Sequence, residues 1–127
     1  MSAPCILVGI DFLEIEKVGS AFLRFGDRFL NRIFEEEELE FYRGKGRKRF
    51  QEGIAALFAS KEAVKKLFLQ REERIGWKDM RIVHTGSGKP VVRLKPPFER
   101  CFQQISLSIS HSASAVVAVA VAWSESR

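Results

Sequence analysis

One stretch in the middle of the chain limits the fold more than any other. From Phe50 to about Arg71 the sequence runs without a proline and with a single glycine. Phe50, Ile54, Leu57, Phe58, Val64 and Phe68 recur at spacings that gather them on one face of a long helix. Ala55, Ala56, Ala59 and Ala63 keep part of that helix thin, so a second element is expected to approach it closely. An apolar helix face must be buried against another layer. The segments on either side suggest that this layer is a sheet.

Cys5 to Ile10 is a short apolar run rich in β-formers, read as a buried strand that ends at Asp11. A helix is expected from Leu13 to about Arg24, with Ile15, Val18, Phe22 and Phe25 at near-helical spacing. Asp27 is placed to cap a second, short helix carrying Phe29, Ile33 and Phe34. Glu35 to Glu38 suit the first turn of a third, where acids meet the positive end of the dipole. The period changes in the last third. Met80 to His84 and Val91 to Leu94 flank the turn Thr85–Pro90 and read as a hairpin. Phe98 to Gln103 is expected to form a short helix. Ile105 to Ser110 alternates strictly, with Ser106, Ser108 and Ser110 on one face, and Ala115 to Trp123 runs back beside it. The expectation is an α+β fold: one domain, residues 1–127, with an antiparallel sheet packed against a long central helix.

Composition narrows the partners. Lys and Arg number 21 against 16 Asp and Glu, a net charge of +5. A basic balance favours an acidic partner. The longest apolar run, Ala115 to Trp123, has strand length rather than the length of a membrane span. The start, Met1 to Ile10, lacks a basic opening and a cleavage site, so a cytoplasmic protein without membrane attachment is expected. Cys5 and Cys101 lie far apart with no metal-ligand spacing and read as buried free thiols. Arg43 to Arg49 (RGKGRKR) is a basic loop, but no aromatic residue interleaves with it until Phe50, so nucleic acid is not the expected partner.

Some residues bear chemistry. Asp11 follows a buried strand, which suits either a rigidly held functional carboxylate or a helix N-cap. Glu62 shares the face of Ile54 and Phe58, and an acid there costs free energy unless it is paired or bound to a metal. Its ordinary partners would be Lys61 and Lys66. Two carboxylates from separate elements suit a hard cation such as Mg²⁺, completed by water and substrate phosphates. His111 stands at a strand end beside hydroxyls, and His84 at another strand end. Gly86-Ser87-Gly88-Lys89-Pro90 lacks the P-loop pattern and reads as a hairpin turn.

Taken together the segments resemble the holo-[acyl-carrier-protein] synthases, the short class of phosphopantetheinyl transferases. Gly9-Ile10-Asp11 with Glu14-Ile15-Glu16-Lys17 is similar to the family's first motif. Phe58-Ala59-Ser60-Lys61-Glu62-Ala63, followed by Lys66, is similar to its central motif. Trp77 with Asp79, then Gly88-Lys89-Pro90, then Ser108-Ile109-Ser110-His111 continue the order. The resemblance implies transfer of 4′-phosphopantetheine from coenzyme A to a serine of an apo acyl carrier protein, releasing adenosine 3′,5′-bisphosphate. It implies Asp11 and Glu62 as Mg²⁺ ligands and Lys66 on the coenzyme A phosphates, these three forming the catalytic set. It places Gly88, Lys89, Pro90, Ser110 and His111 around the nucleotide. Lys17, Arg24 and Arg28 fall where the carrier's acidic helix would dock. It implies a homotrimer with sites at the subunit interfaces.

The sequence departs from the family pattern at Leu57, where arginine is frequent, at Leu67-Phe68-Leu69-Gln70-Arg71, where a small, glycine-rich stretch is usual, and at Lys17, where arginine is usual. Arg71, Arg74 or the RGKGRKR loop would have to supply replacement charge. Two other readings stand beside the transferase: a non-catalytic relative that binds carrier or coenzyme A, and a basic nucleic-acid-binding domain.

Overall fold

The structure, a computed structural model, describes residues 4–125, so the part of the amino-terminal reading that rests on residues 1–3 lies outside it. Strand β1 (Pro4–Glu14) leads into helices α1 (Ile15–Phe25), α2 (Asp27–Ile33) and α3 (Glu36–Glu40). The long helix α4 (Arg47–Leu69) follows, then the hairpin β2 (Met80–His84) and β3 (Pro90–Leu94), and finally β4 (Gln104–His111) and β5 (Ala115–Glu125). Short 3₁₀ turns at Trp77–Asp79 and Phe98–Arg100 join the last parts. The α+β expectation holds, with the strands divided between two antiparallel sheets: β1-β5-β4 and β2-β3.

The period-two pattern decides which side of the larger sheet meets α4. Val116, Ala118, Ala120 and Ala122 of β5 are buried, and these small side chains let the helix lie close. Their register partners Leu13, Asp11, Gly9 and Leu7 on β1 share that face. Ile105, Leu107, Ile109 and His111 of β4 are in register with the same four β5 residues. The long helix α4, which packs on this side, buries Ile54, Leu57, Ala59, Ala63, Val64, Leu67 and Phe68, with the backbone at Ala63 lying against Gly9. The other side of the sheet is open: Ile6, Val8, Ile10 and Phe12 are 52–67% exposed.

Several expectations need correction. β1 does not end at Asp11 but continues to Glu14, because β5 pairs with it along its whole length, Asp11 opposite Ala118 and Glu14 opposite Ala115. Asp11 is therefore a residue inside a strand and caps no helix; Glu14 occupies the N-cap position of α1. Asp27 is the first residue of α2 rather than its cap, which is Gly26. The basic loop is shorter than RGKGRKR, since α4 already starts at Arg47. The helical turn after the prolines spans only Phe98–Arg100. Cys5 is exposed and Cys101 half-buried, so neither is a buried thiol, although both are free. No described helix is long and apolar enough to cross a membrane.

Candidate active site

The packing of α4 on β1 brings three of the sequence-predicted residues together. Gly9 lets the helix backbone lie directly against the strand: a Cβ there would stand 2.0 Å from the Ala63 carbonyl oxygen. That approach sets Asp11 beside the turn of α4 that carries Glu62 and Lys66. Lys66 Nζ donates to the Ile10 carbonyl at 2.7 Å and meets Asp11 Oδ1 at 3.2 Å. One turn further, Gln70 Nε2 donates to the Val8 carbonyl at 2.7 Å. The two side chains thus hold the free edge of β1.

Glu62 makes no recorded ion pair among the described residues. Partial burial raises its pKa above the ordinary carboxylate value, the charge of Asp11 raises it further, and Lys65 and Lys66 only partly offset this. Neither expected partner pairs with it. Lys66 turns to Asp11, and Lys61 is fully buried against Glu38 at 2.8 Å. The two carboxylates are therefore close enough to repel, and they lack a full complement of positive charge. That donor set fits a divalent cation with oxygen ligands, in which the protein gives two carboxylates and the substrate gives phosphates. Glu62 and Lys66 also border a groove of about 440 Å³ with Lys65, Leu69 and Arg74.

A second concavity, of about 750 Å³, opens at the other end of α4. Lys45, Lys48 and Arg49 line one side, and Gly88, Pro90, Ser108 and His111 line the other. This is the basic lining that an anionic nucleotide needs. Of the residues predicted for such a site, Gly88, Pro90 and His111 are here. Lys89 and Ser110 are not among the lining residues. Of the candidate replacement charges, the basic loop lines this concavity and Arg74 the smaller groove. Arg71 instead turns inward, donating to the Cys101 carbonyl and pairing with Glu73. Leu57 is fully buried in the core, away from both openings.

Sequence reasoning missed the aromatic floor of this concavity. His84 stacks on Phe41 at 3.9 Å between ring centroids, and its Nε2 is hydrogen-bonded with the Tyr42 hydroxyl at 3.2 Å. Burial lowers the pKa of His84, and the nearby Lys45 adds to this. Tyr42 itself lies flat over Gly53 of α4, where any side chain would collide with its ring. Burial favours the neutral phenol and pushes its pKa from 10.0 to about 12. A raised folded-state value stabilises the fold below pH 10.0 and loses that contribution as the pH climbs towards about 12. Tyr42 is the only tyrosine. Near-ultraviolet titration of the folded protein should therefore show no phenolate at pH 10.0, whereas the unfolded chain should be half-ionised there.

The predicted docking cations lie elsewhere, on α1 and α2. Arg24 and Arg28 border a groove of about 920 Å³ with Phe25, Phe29, Asn31 and Arg32. Lys17 stands outside it, near Glu14 at 3.8 Å. Arg32 was not singled out from sequence, although its place four residues after Arg28 puts it on the same helix face.

The chain as a whole is similar to known proteins. The family model for the 4′-phosphopantetheinyl transferase superfamily matches residues 7–121. A holo-[acyl-carrier-protein] synthase of Caldanaerobacter subterraneus subsp. tengcongensis is 37% identical, with 92% of this chain and 94% of that protein covered. One from Protochlamydia amoebophila is 36% identical, with coverage of 92% and 96%. Among solved structures, the Helicobacter pylori holo-[acyl-carrier-protein] synthase in complex with coenzyme A superposes with a TM-score of 0.78 at 30% identity. That likeness covers 91% of this chain and 99% of the other. Matched by the family model over residues 7–121 and by relatives over nine-tenths of its length, the chain belongs to the 4′-phosphopantetheinyl transferase superfamily as an enzyme of the holo-[acyl-carrier-protein] synthase kind.

Proposed function

We propose that the chain transfers 4′-phosphopantetheine from coenzyme A to a serine hydroxyl of an apo acyl carrier protein and releases adenosine 3′,5′-bisphosphate. One observation carries this reading: two mutually repelling carboxylates from separate elements, Asp11 and Glu62, stand with Lys66 at the β1–α4 contact. Phosphoryl transfer needs positioning and charge stabilisation more than covalent help from the protein. Asp11 and Glu62 would hold Mg²⁺, which when bound supplies positive charge to the pyrophosphate and the leaving bisphosphate. Lys66 holds the phosphates as a point charge. Lys45, Lys48, Arg49, Gly88, Pro90 and His111 form the nucleotide side. As the serine oxygen bonds to the β-phosphorus, the bond from that phosphorus to the bridging oxygen breaks. The serine proton passes to Glu62, the carboxylate on α4 at this contact.

The nucleotide concavity and the groove beside Glu62 share no lining residue within one chain. A homotrimer resolves this, with the concavity of one copy completing the carboxylate end of the next. The exposed Ile6, Val8, Ile10 and Phe12 supply an apolar surface for that association. The whole chain acts as one cytoplasmic transferase domain, and the Arg24–Arg28 groove receives the acidic helix of the carrier.

Intact-mass analysis of apo acyl carrier protein, incubated with the protein, coenzyme A and Mg²⁺, tests the reading. The expected result is a gain of one phosphopantetheine that EDTA prevents. No gain with several carriers would overturn transfer and leave a relative that binds without turnover. The docking assignment makes its own prediction. Arg28→Glu should raise KM for the carrier about tenfold with kcat little changed, because a rim charge acts mainly on encounter and register. Added salt should weaken the wild-type interaction in the same direction.

A further inference from the structure

Lys61, which precedes the proposed metal ligand Glu62, belongs to the most buried charged pair among the described residues. Lys61 and Glu38 are both essentially sealed from solvent. Lys61 Nζ donates to the Ile33 carbonyl, Glu38 Oε1 and the Trp77 carbonyl, each at 2.8 Å. All three ammonium protons are used. Glu38 Oε1 also accepts from the Glu35 amide at 2.9 Å, and its Oε2 accepts from the Ile82 amide at 2.8 Å. One ion pair therefore ties the end of α2, the helix α3, the Trp77 turn and strand β2 to the middle of α4.

Stability alone does not account for such a pair. Replacing a buried ion pair with apolar side chains of similar size is often neutral or stabilising, because two charges must be desolvated. Apolar packing, however, allows a helix to rotate slightly about its axis, whereas three hydrogen bonds with fixed directions do not. Neighbouring residues on a helix point about 100° apart. With Lys61 pinned towards α2, α3 and β2, Glu62 is turned towards β1, where Asp11 stands. The same pin seats α2, which carries Arg28, against α4.

We propose that Lys61, held by Glu38, is a positioning residue for the transfer reaction: it fixes the rotation of α4 so that Glu62 meets Asp11, and it fixes the docking helix α2 relative to both. This rests on the transferase reading. Lys61→Met and Glu38→Gln are compared with the wild type, and Ile105→Ala serves as a core variant on β4 away from the junction. Thermal melting, Mn²⁺ binding by electron paramagnetic resonance, and kcat with KM for coenzyme A are measured. Both junction variants should melt cooperatively. Mn²⁺ affinity should fall about tenfold and kcat about a hundredfold, with KM for coenzyme A nearly unchanged, as for a small misplacement of a reacting group. Ile105→Ala should lower the melting temperature only. Mn²⁺ affinity and kcat at the wild-type level in a folded junction variant would overturn the proposal. So would losses matched by Ile105→Ala, or failure of both junction variants to fold, which would make the pair a determinant of the fold alone. An inactive wild type would overturn the transferase reading instead, and Mn²⁺ affinity would still decide the role of Lys61.

Discussion

Glu62→Ala should lower the rate of phosphopantetheine transfer by about a thousandfold, the scale on which a single preorganised electrostatic group acts in a site, while leaving the melting temperature at or above that of the wild type. The two halves of this result have one cause. Glu62 is half-buried on α4, faces the charge of Asp11, and pairs with neither Lys61 nor Lys66. Its folded-state pKa is raised above 4.5, first by burial and then by Asp11. A carboxylate with a raised folded-state value holds its proton more tightly in the native chain than in the unfolded one. The native state is therefore disfavoured at pH values above 4.5, increasingly until the raised value is passed. Alanine removes that cost and has the better helix propensity. A residue kept for the fold would show the opposite pattern. Melting curves across pH 4 to 8 beside intact-mass transfer rates check both halves; a destabilised variant with a proportionate loss of rate would make Glu62 structural.

What could be read from the sequence was what repeats locally. The face of α4 that carries Ile54, Leu57, Val64 and Phe68 is buried as its spacing requires. The alternation at Ile105 to Ser110 also settles the faces of β4. Asp11, Glu62 and Lys66 could be singled out because each stands in a compact motif, and the fold brings the three together. The misses that matter to the site are non-local. The end of β1 depends on the length of β5, which lies a hundred residues later in the chain. Lys61 looked like a neighbour for Glu62, but its partners are Glu38 and two backbone carbonyls that only the packing of α2 and the Trp77 turn delivers. His84 looked like an ordinary strand end because Phe41 and Tyr42 meet it only in the folded chain. The run Cys5 to Ile10 was read as buried, whereas Ile6, Val8 and Ile10 of a single chain face outward.

Gly9→Ala should be the most damaging single-methyl change in the sheet. The added Cβ would lie 2.0 Å from the Ala63 carbonyl oxygen, 3.1 Å from its carbon and 3.3 Å from Lys66 Cβ. Two of these atoms are backbone, so no side-chain rotation relieves the clash and α4 must move away from β1. That movement opens the contact between the helix and the small residues Ala118, Ala120 and Ala122, which are fully buried against it. It also pulls Lys66 and Gln70 from the Ile10 and Val8 carbonyls they now reach at 2.7 Å. Overpacking of a tight core costs about 3 kcal/mol, which in a domain of this size lowers the melting temperature on the order of 10 °C. Transfer activity should fall as well, because the same movement separates Glu62 from Asp11. Gly86→Ala supplies the contrast: its Cβ would meet nothing within 4 Å, so its melting temperature should stay near that of the wild type. Equal melting temperatures for the two variants would show that α4 does not lean on Gly9. Loss confined to Gly9→Ala would show that the close approach of α4 to β1 depends on the missing methyl group.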